Sequence, residues 1–277
     1  MTTLPVAPIS LSSTDSIVIP QFAAGGGWTT QVLLVNPTDQ LITGNVVMDA
    51  TYPYSIAPRS ATKVISSNPS SVQTGTILVQ VAANSLAPIA SSVFSFVSGG
   101  VIVTESGIGA TGVSQSFLIF AELDSAQSLQ TGIAIANTSS NTATVRFALL
   151  TPDGLPSGYS TSTTIGGNGH LALFLRDLPG FQNLPASFRG VLRISADAPI
   201  SAIGLRERYN ERNDFLISTT PAIAANAAAS TIGSVFPQVV IGGGYTTELI
   251  LINSGASSGG TMVLMSQTGA ALPLQLR

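Results

Sequence analysis

The residues able to do chemistry are few. The sequence holds one histidine, His170, and no cysteine, so a nucleophile–base relay would have to run through that imidazole. Its surroundings, GGNGHLALF (166–174), read as a glycine turn entering an apolar strand, with His170 a polar residue at the strand start. Cys-ligated zinc and thiol catalysis are excluded, and a zinc site built on a histidine pair has no second histidine. For calcium, the candidates are Glu122 and Asp124 in AELDS and Asp153 in TPDG; neither stretch has the spacing of an EF-hand loop, and both read as turn residues. The densest charge run is LRERYNERNDF (205–215). It reads as strand–turn–strand with cross-strand ion pairs, and the competing reading makes Arg206, Arg208 and Arg212 contacts for an anionic glycan. Trp28 and Tyr245 each follow three glycines; they cap a glycine bend or form a sugar-stacking platform. Asn137-Thr138-Ser139 spells a glycosylation sequon, which matters only in a eukaryotic secretory context. No cofactor and no catalytic set is expected, and the chain reads as a non-enzyme.

Composition narrows the class further. Only 8% of the 277 residues are charged, against roughly 25% in an ordinary soluble domain. Mean hydropathy is +0.43. Ser, Thr, Gly and Ala fill the space that Lys and Glu usually take, which gives a neutral surface tolerant of association. Ten basic residues with a single lysine, Lys63, make no phosphate-binding stripe, so nucleic acid is not a partner. No apolar run reaches the roughly 18 residues of a membrane helix, and strands this short, with so few aromatics, do not suit a membrane barrel. The N-terminal MTTLPVAPIS carries no signal-peptide pattern.

The elements that must position these residues are announced by a repeat. IPQFAAGGGWTTQVLLVN (19–36) returns as FPQVVIGGGYTTELILIN (236–253). A shift of 217 positions lays Pro20, Gln21, Gly25, Gly26, Gly27, Thr29, Thr30, Leu34, Asn36, Val46 and Met48 on identical residues. A weaker third copy, FLIFAELDSAQSLQTGIAIAN (117–137), keeps Thr131 and Asn137 but has Ala126, Gln127 and Ser128 in place of the glycines. The second halves of the first two copies also match, through Ala-Pro-Ile at 87–89 and 198–200. Units of about one hundred residues are domains rather than solenoid repeats.

Within each unit the apolar pattern has period two or forms short runs, bounded by NPTD, SGG and TPDG turns, as strands and turns require. The fold class is therefore all-β: tandem immunoglobulin-like antiparallel sandwiches, the last one incomplete. The expected divisions are an extended segment 1–18, sandwiches at 19–112 and 113–219, a linker at 220–235 and a partial sandwich at 236–277. Gly25–Gly27 and Gly242–Gly244 suit a sharp bend needing positive φ. Asn36, Asn137 and Asn253 end apolar strands, where Asn enters a left-handed turn or bonds its own backbone. Pro20 and Pro237 mark edge positions. Segment 166–190 reads as an insertion-like loop.

The stretch PQ-x3-GGG-(W/Y)-TT followed by an aliphatic run ending in Asn resembles tandem immunoglobulin-like repeats of large secreted or surface proteins of environmental bacteria. That resemblance implies spacers, adhesive stalks or matrix elements at the cell surface or outside the cell, and carries over no catalytic residue. The expected function is structural or adhesive, with self-association or a glycan or cell surface as partner. One route is strand addition by the N-terminal segment (Ala7, Pro8, Ile9, Leu11) into a neighbour's third unit, giving head-to-tail fibres. The alternative is a carbohydrate- or surface-binding module using sandwich-end loops.

Overall fold

The computed structural model describes residues 13–227, 234–255 and 259–272. They fall into two compact units, one up to Ala224 and one from Ala225. Every strand among the described residues lies in the first, in two successive sets of antiparallel sheets, as the period-two pattern requires.

The first repeat comprises β1 (Ile17–Ala24), β2 (Trp28–Val35), β3 (Ile42–Val47), β4 (Thr51–Ile56), β5 (Ala61–Ile65), β6 (Gln73–Val81), β7 (Ile89–Ser98) and β8 (Val101–Gly109). Its sheets have the orders β1-β6-β3-β4 and β5-β2-β7-β8. As in the immunoglobulin sandwich, the second strand lies beside the fifth and the third beside the sixth. Here, however, the first strand flanks the sixth and the seventh flanks the second. Pro20 and Gln21 sit where the β1–β6 register shifts, on an edge strand, so the missing proline N–H costs the ladder nothing.

The second repeat repeats this order. It comprises β9 (Ser114–Asp124), β10 (Leu129–Asn137), β11 (Ala143–Leu150), β12 (Pro156–Ile165), β13 (His170–Phe174), β14 (Ser187–Tyr209) and β15 (Phe215–Thr220), with a short β16 (Ile223–Ala224) added to β9. The long β14 serves as two strands. Residues 187–195 lie between β9 and β11, and residues 200–208 lie between β10 and β15. The register shift between Ser195 and Ile200 marks where it crosses from one sheet to the other. In the first repeat the same crossing, at the matching Ala-Pro-Ile, is broken into β6 and β7.

Two recurring side chains explain the motif. The Thr30 hydroxyl accepts from the Ala23 N–H at 3.0 Å and donates to the Ala23 carbonyl at 2.7 Å; Thr131 does the same with Glu122 at 2.8 and 3.1 Å. Each threonine stands in for a ladder partner where the chain passes from one sheet to the other. Asn36 is buried, and its amide donates to the carbonyls of Gln40 (2.7 Å), Ile56 (3.0 Å) and Ala57 (2.9 Å) while its oxygen accepts from the Thr38 N–H and hydroxyl. Asn137 reproduces the set with Asn141, Ile165, Gly166 and Ser139. The asparagines therefore tie the end of one sheet's strand to the other sheet, and neither adopts positive φ.

The turn ahead of them shows why glycine recurs. Gly25, Gly26 and Gly27 have φ of +79°, +59° and +95°, a run of left-handed conformations open without strain only to glycine. A Cβ on Gly25 would also lie 2.4 Å from the Pro69 carbonyl. In the second repeat the glycines are replaced by a 3-10 turn (Ser125–Gln127). It is capped by the Asp124 carboxylate and left by Ser128 in the left-handed region.

The supposed insertion at 166–190 is mostly structural. Its start supplies β13, the counterpart of β5. Its remainder drops Leu175, Leu178, Phe181 and Leu184 into the second repeat's core. The region taken for a linker likewise begins within the fold, since Ile223 pairs with Leu118.

The second unit, taken alone, forms no strand among its described residues. It keeps the motif's local bonds: Gly242–Gly244 have φ of +96°, +59° and +88°, Gly242 and Tyr245 exchange backbone bonds at 3.0 Å, and Thr247 bonds both backbone groups of Val240. Among the described residues the strands expected there are reduced to isolated bridges, Gly242 with Tyr245 and Met265 with Ala271. Phe236, Ile241, Leu251 and Met265 are exposed accordingly.

Candidate functional site

The feature that gathers the most sequence-derived candidates is the seam between the two repeats. Residues 132–136 of β10 and, save for Ser201, 200–205 of β14 are apolar on both faces, and both faces are buried. One face (Ile133, Ile135, Ile200, Ala202) belongs to the second repeat's own core. The other (Ala134, Ile203, Leu205) joins the core of the first repeat. The second repeat's sheet is thus covered by its neighbour.

Polar contacts close the seam's margins. The Thr104 hydroxyl accepts from the Ile217 N–H at 3.1 Å and donates to the Ile217 carbonyl at 3.2 Å, and the Thr219 hydroxyl donates to the Gly107 carbonyl at 2.7 Å. The hydroxyls of Thr111 and Ser201 are bonded.

Trp28 lies in this seam rather than across the glycines. Its ring stacks at a tilt on Phe96 (centroids 4.9 Å) and meets the edge of Phe215 from the second repeat at 6.1 Å. With Phe94, Phe174 and Leu205 it lines an apolar cleft of about 190 Å³. A half-buried indole held by three phenylalanines is a packing anchor. Tyr245, its counterpart in the second unit, is 66% exposed.

His170 also belongs to the seam. Its Nε2 is 3.0 Å from Gln21 Oε1 of the first repeat, and a neighbouring polar recess is lined by Asp49, Gln73, Asn168 and His170. Burial holds the imidazole down to about 4, with the Pro20 carbonyl pushing weakly the other way. The folded protein's imidazole therefore stays neutral at a pH where the unfolded chain's already takes a proton. His170's contribution to stability is complete above the ordinary value of 6.5 and falls as pH drops from there towards 4. Below that it is constant. The full swing is about 3 kcal/mol. His170→Gln should flatten this part of a pH–stability profile measured by urea denaturation; an unchanged slope between pH 6.5 and 4 would show that the imidazole is not the group titrating.

The glycan-contact candidates are engaged with acids. Glu122 bonds Arg189 at 2.6 Å and lies 3.5 Å from Arg206; Arg208 pairs with Glu211 and Arg212 with Asp214, each at 3.0 Å. β14 and β15 flank the turn as a strand–turn–strand, but the ion pairs lie within the turn or reach Glu122 of β9 rather than crossing between the two strands. Between them Glu207 is buried, accepting from Gln130 at 2.7 Å. Burial raises its carboxyl, the Gln130 bond offsets part of this, and Asp177 adds to the rise. A raised folded-state value means stability that is present at acid pH and lost as pH climbs through that value. Glu207→Gln keeps an acceptor for Gln130, so it should raise Tm at pH 7 and leave it unchanged near pH 3.

The other candidates do not converge. Asp124 caps the 3-10 turn through its own backbone neighbours, and Asp153 lies in an exposed turn. Among the described residues no three metal-ligating side chains come together. Asn137 of the sequon is 2% exposed, with its amide fully engaged, so the folded protein offers it to no modifying enzyme. Ala7, Pro8, Ile9 and Leu11 lie outside the described residues. Gly255–Gly259 (GASSG) has the G-x-S-x-G spacing, but Ser257 too lies outside them, and no strand-to-helix turn flanks it among the described residues, the context that motif needs. No helix among the described residues is long and apolar enough to cross a membrane.

Fold and seam together define a tandem β-sandwich protein in which two repeats share an apolar interface. No family model matches the chain, and no curated protein matches it.

Proposed function

We propose that this chain is a non-enzymatic structural protein, a stiff two-sandwich spacer presented at a cell surface or outside the cell, of the kind its GGG-(W/Y)-TT motif resembles. The observation that carries this reading is the seam. Ala134, Ile203 and Leu205 of one repeat complete the core of the other, where flexibly strung modules would keep separate cores and a hydrated hinge. The recurring residues (Thr30 and Thr131, Asn36 and Asn137, the triple glycine) all serve the scaffold. Low surface charge and the exposed apolar side chains of the second unit favour self-association into larger arrays, which is the adhesive side of the proposal.

The spacer role is tested by spin labels on Ser55→Cys and Thr164→Cys, one in each repeat, in a chain that has no other cysteine. One narrow distance distribution by pulsed electron resonance is expected; a broad one would reject a stiff spacer. Electron micrographs over a concentration series test assembly, with dispersed single particles throughout counting against it.

A further inference from the structure

Among the described arginines, every one but two is bonded to a carboxylate or to backbone carbonyls. The exceptions are Arg146 and Arg193. They sit on the same outer face of the second repeat's β9-β14-β11-β12 sheet, and the register makes them diagonal neighbours. Arg146 lies opposite Ser195 and Ala148 opposite Arg193. Across the other ladder, Arg146 lies opposite Ser162 and Ala148 opposite Ser160. The face is therefore a grid whose first row is Ser162, Arg146, Ser195 and whose second is Ser160, Ala148, Arg193.

These six residues line an open, shallow basin of about 620 Å³. Diagonal cross-strand neighbours stand roughly 7–8 Å apart, so two like charges are held close together on a rigid sheet. The Asp197 charge reaches Arg146, but its carboxylate accepts from the Thr144 N–H at 2.7 Å and forms no direct ion pair with either arginine. Arg193 has no acid among its ladder neighbours, which are Leu118 and Ala148.

We infer that this face binds an anionic polysaccharide. Two guanidinium forks, neither held in a direct ion pair, take carboxylate or sulfate groups bidentately. Three serine hydroxyls around them can donate to or accept from sugar hydroxyls. The basin is open at its edges, as an extended chain needs and an enclosed small molecule does not. A polynucleotide is the poorer fit, because Phe147, the one aromatic residue lining the basin, is buried and offers no ring on which bases would stack. The site goes beyond the spacer proposal and does not depend on it, since it lies on one sheet of one repeat, away from the seam.

The test is affinity electrophoresis of the full chain at low salt through gels containing dextran sulfate, polygalacturonate, neutral dextran or oligo(dT), each compared with a polymer-free gel. The protein's net charge of −3 gives it no overall attraction for polyanions, so retardation reports a local site. Retardation by dextran sulfate, polygalacturonate or both, but not by neutral dextran, is expected, and identifies the anionic group. Arg146→Gln with Arg193→Gln should weaken it at least tenfold, while Arg206→Gln, in an ion pair elsewhere, leaves it unchanged. No retardation by either acidic polysaccharide would overturn the assignment, as would full binding by the double variant or equal retardation by oligo(dT).

Discussion

Asn137→Ala should cost the folded protein about 3–4 kcal/mol, because it strands three carbonyls around a buried amide. The oxygens of Asn141, Ile165 and Gly166 lie 2.7–3.0 Å from that nitrogen, and an unsatisfied buried polar group costs roughly 1–3 kcal/mol. For a cooperative unit of this size such a loss corresponds to a fall in Tm on the order of 10 °C. Asn36→Ala should behave alike, since its five bonds are the same in kind. The informative variant is Asn137→Asp. It keeps the shape and the oxygen that accepts from Ser139, yet it presents a carboxylate to three carbonyls, so it should be at least as destabilising as alanine at pH 7. At pH 4 part of the loss should return, because a protonated acid donates one bond. Thermal melts of the three variants at both pH values check this. If Asn137→Asp were as stable as the unmodified protein at pH 7, the amide donations would carry no weight.

Ile203→Asp attacks the seam and should have the largest effect on architecture. Ile203 is 5% exposed, and removing it from water is worth roughly 2–3 kcal/mol. A carboxylate in its place adds a desolvation cost, so the seam should lose at least about 4 kcal/mol. Because Ile203 faces the first repeat rather than its own core, the expected outcome is separation of the repeats with each sandwich intact. Far-UV circular dichroism should be retained. Trp28 is the only tryptophan and lies in the seam, so its emission should shift to the red under native conditions. An unshifted spectrum would mean that the repeats stay docked without Ile203. Ile133→Asp, placed in the second repeat's own core, should instead abolish that repeat's fold.

Much of this was legible in the sequence because local chemistry dictated it. Three consecutive positive φ values leave glycine as the unstrained choice, so GGG marked a bend in the first copy. Where the chain has Ala126, Gln127 and Ser128, a different turn was required. The strands were visible through period two in TTQVLLVN and TATVRFALL. The sheet-crossing at Ala-Pro-Ile was visible only as a repeat, since register decides whether one long strand or two short ones result. The seam was half legible. GIAIAN and PISAIGL are apolar at every position but the occasional small polar one, which announces a strand buried on both faces, but nothing in those letters says that the second cover is the neighbouring repeat. Arg206, Arg208 and Arg212 stood out because charge is clustered in sequence, and the fold neutralises that cluster. Arg146 and Arg193 were silent, being 47 residues apart until β11 and β14 pair. The 166–190 segment misled because its apolar residues follow neither a strand nor a helix period; they are spaced to reach a core from an irregular path.

The central claim is that the two repeats form a single cooperative body through the seam. A urea titration of the intact chain, followed at once by Trp28 emission and by far-UV circular dichroism, tests it directly. Coincident curves with one midpoint are predicted, because the seam should then give way only when the sandwiches do. A Trp28 transition that finishes before the circular dichroism begins to change would mean that the repeats part first, and that they are independent modules merely touching.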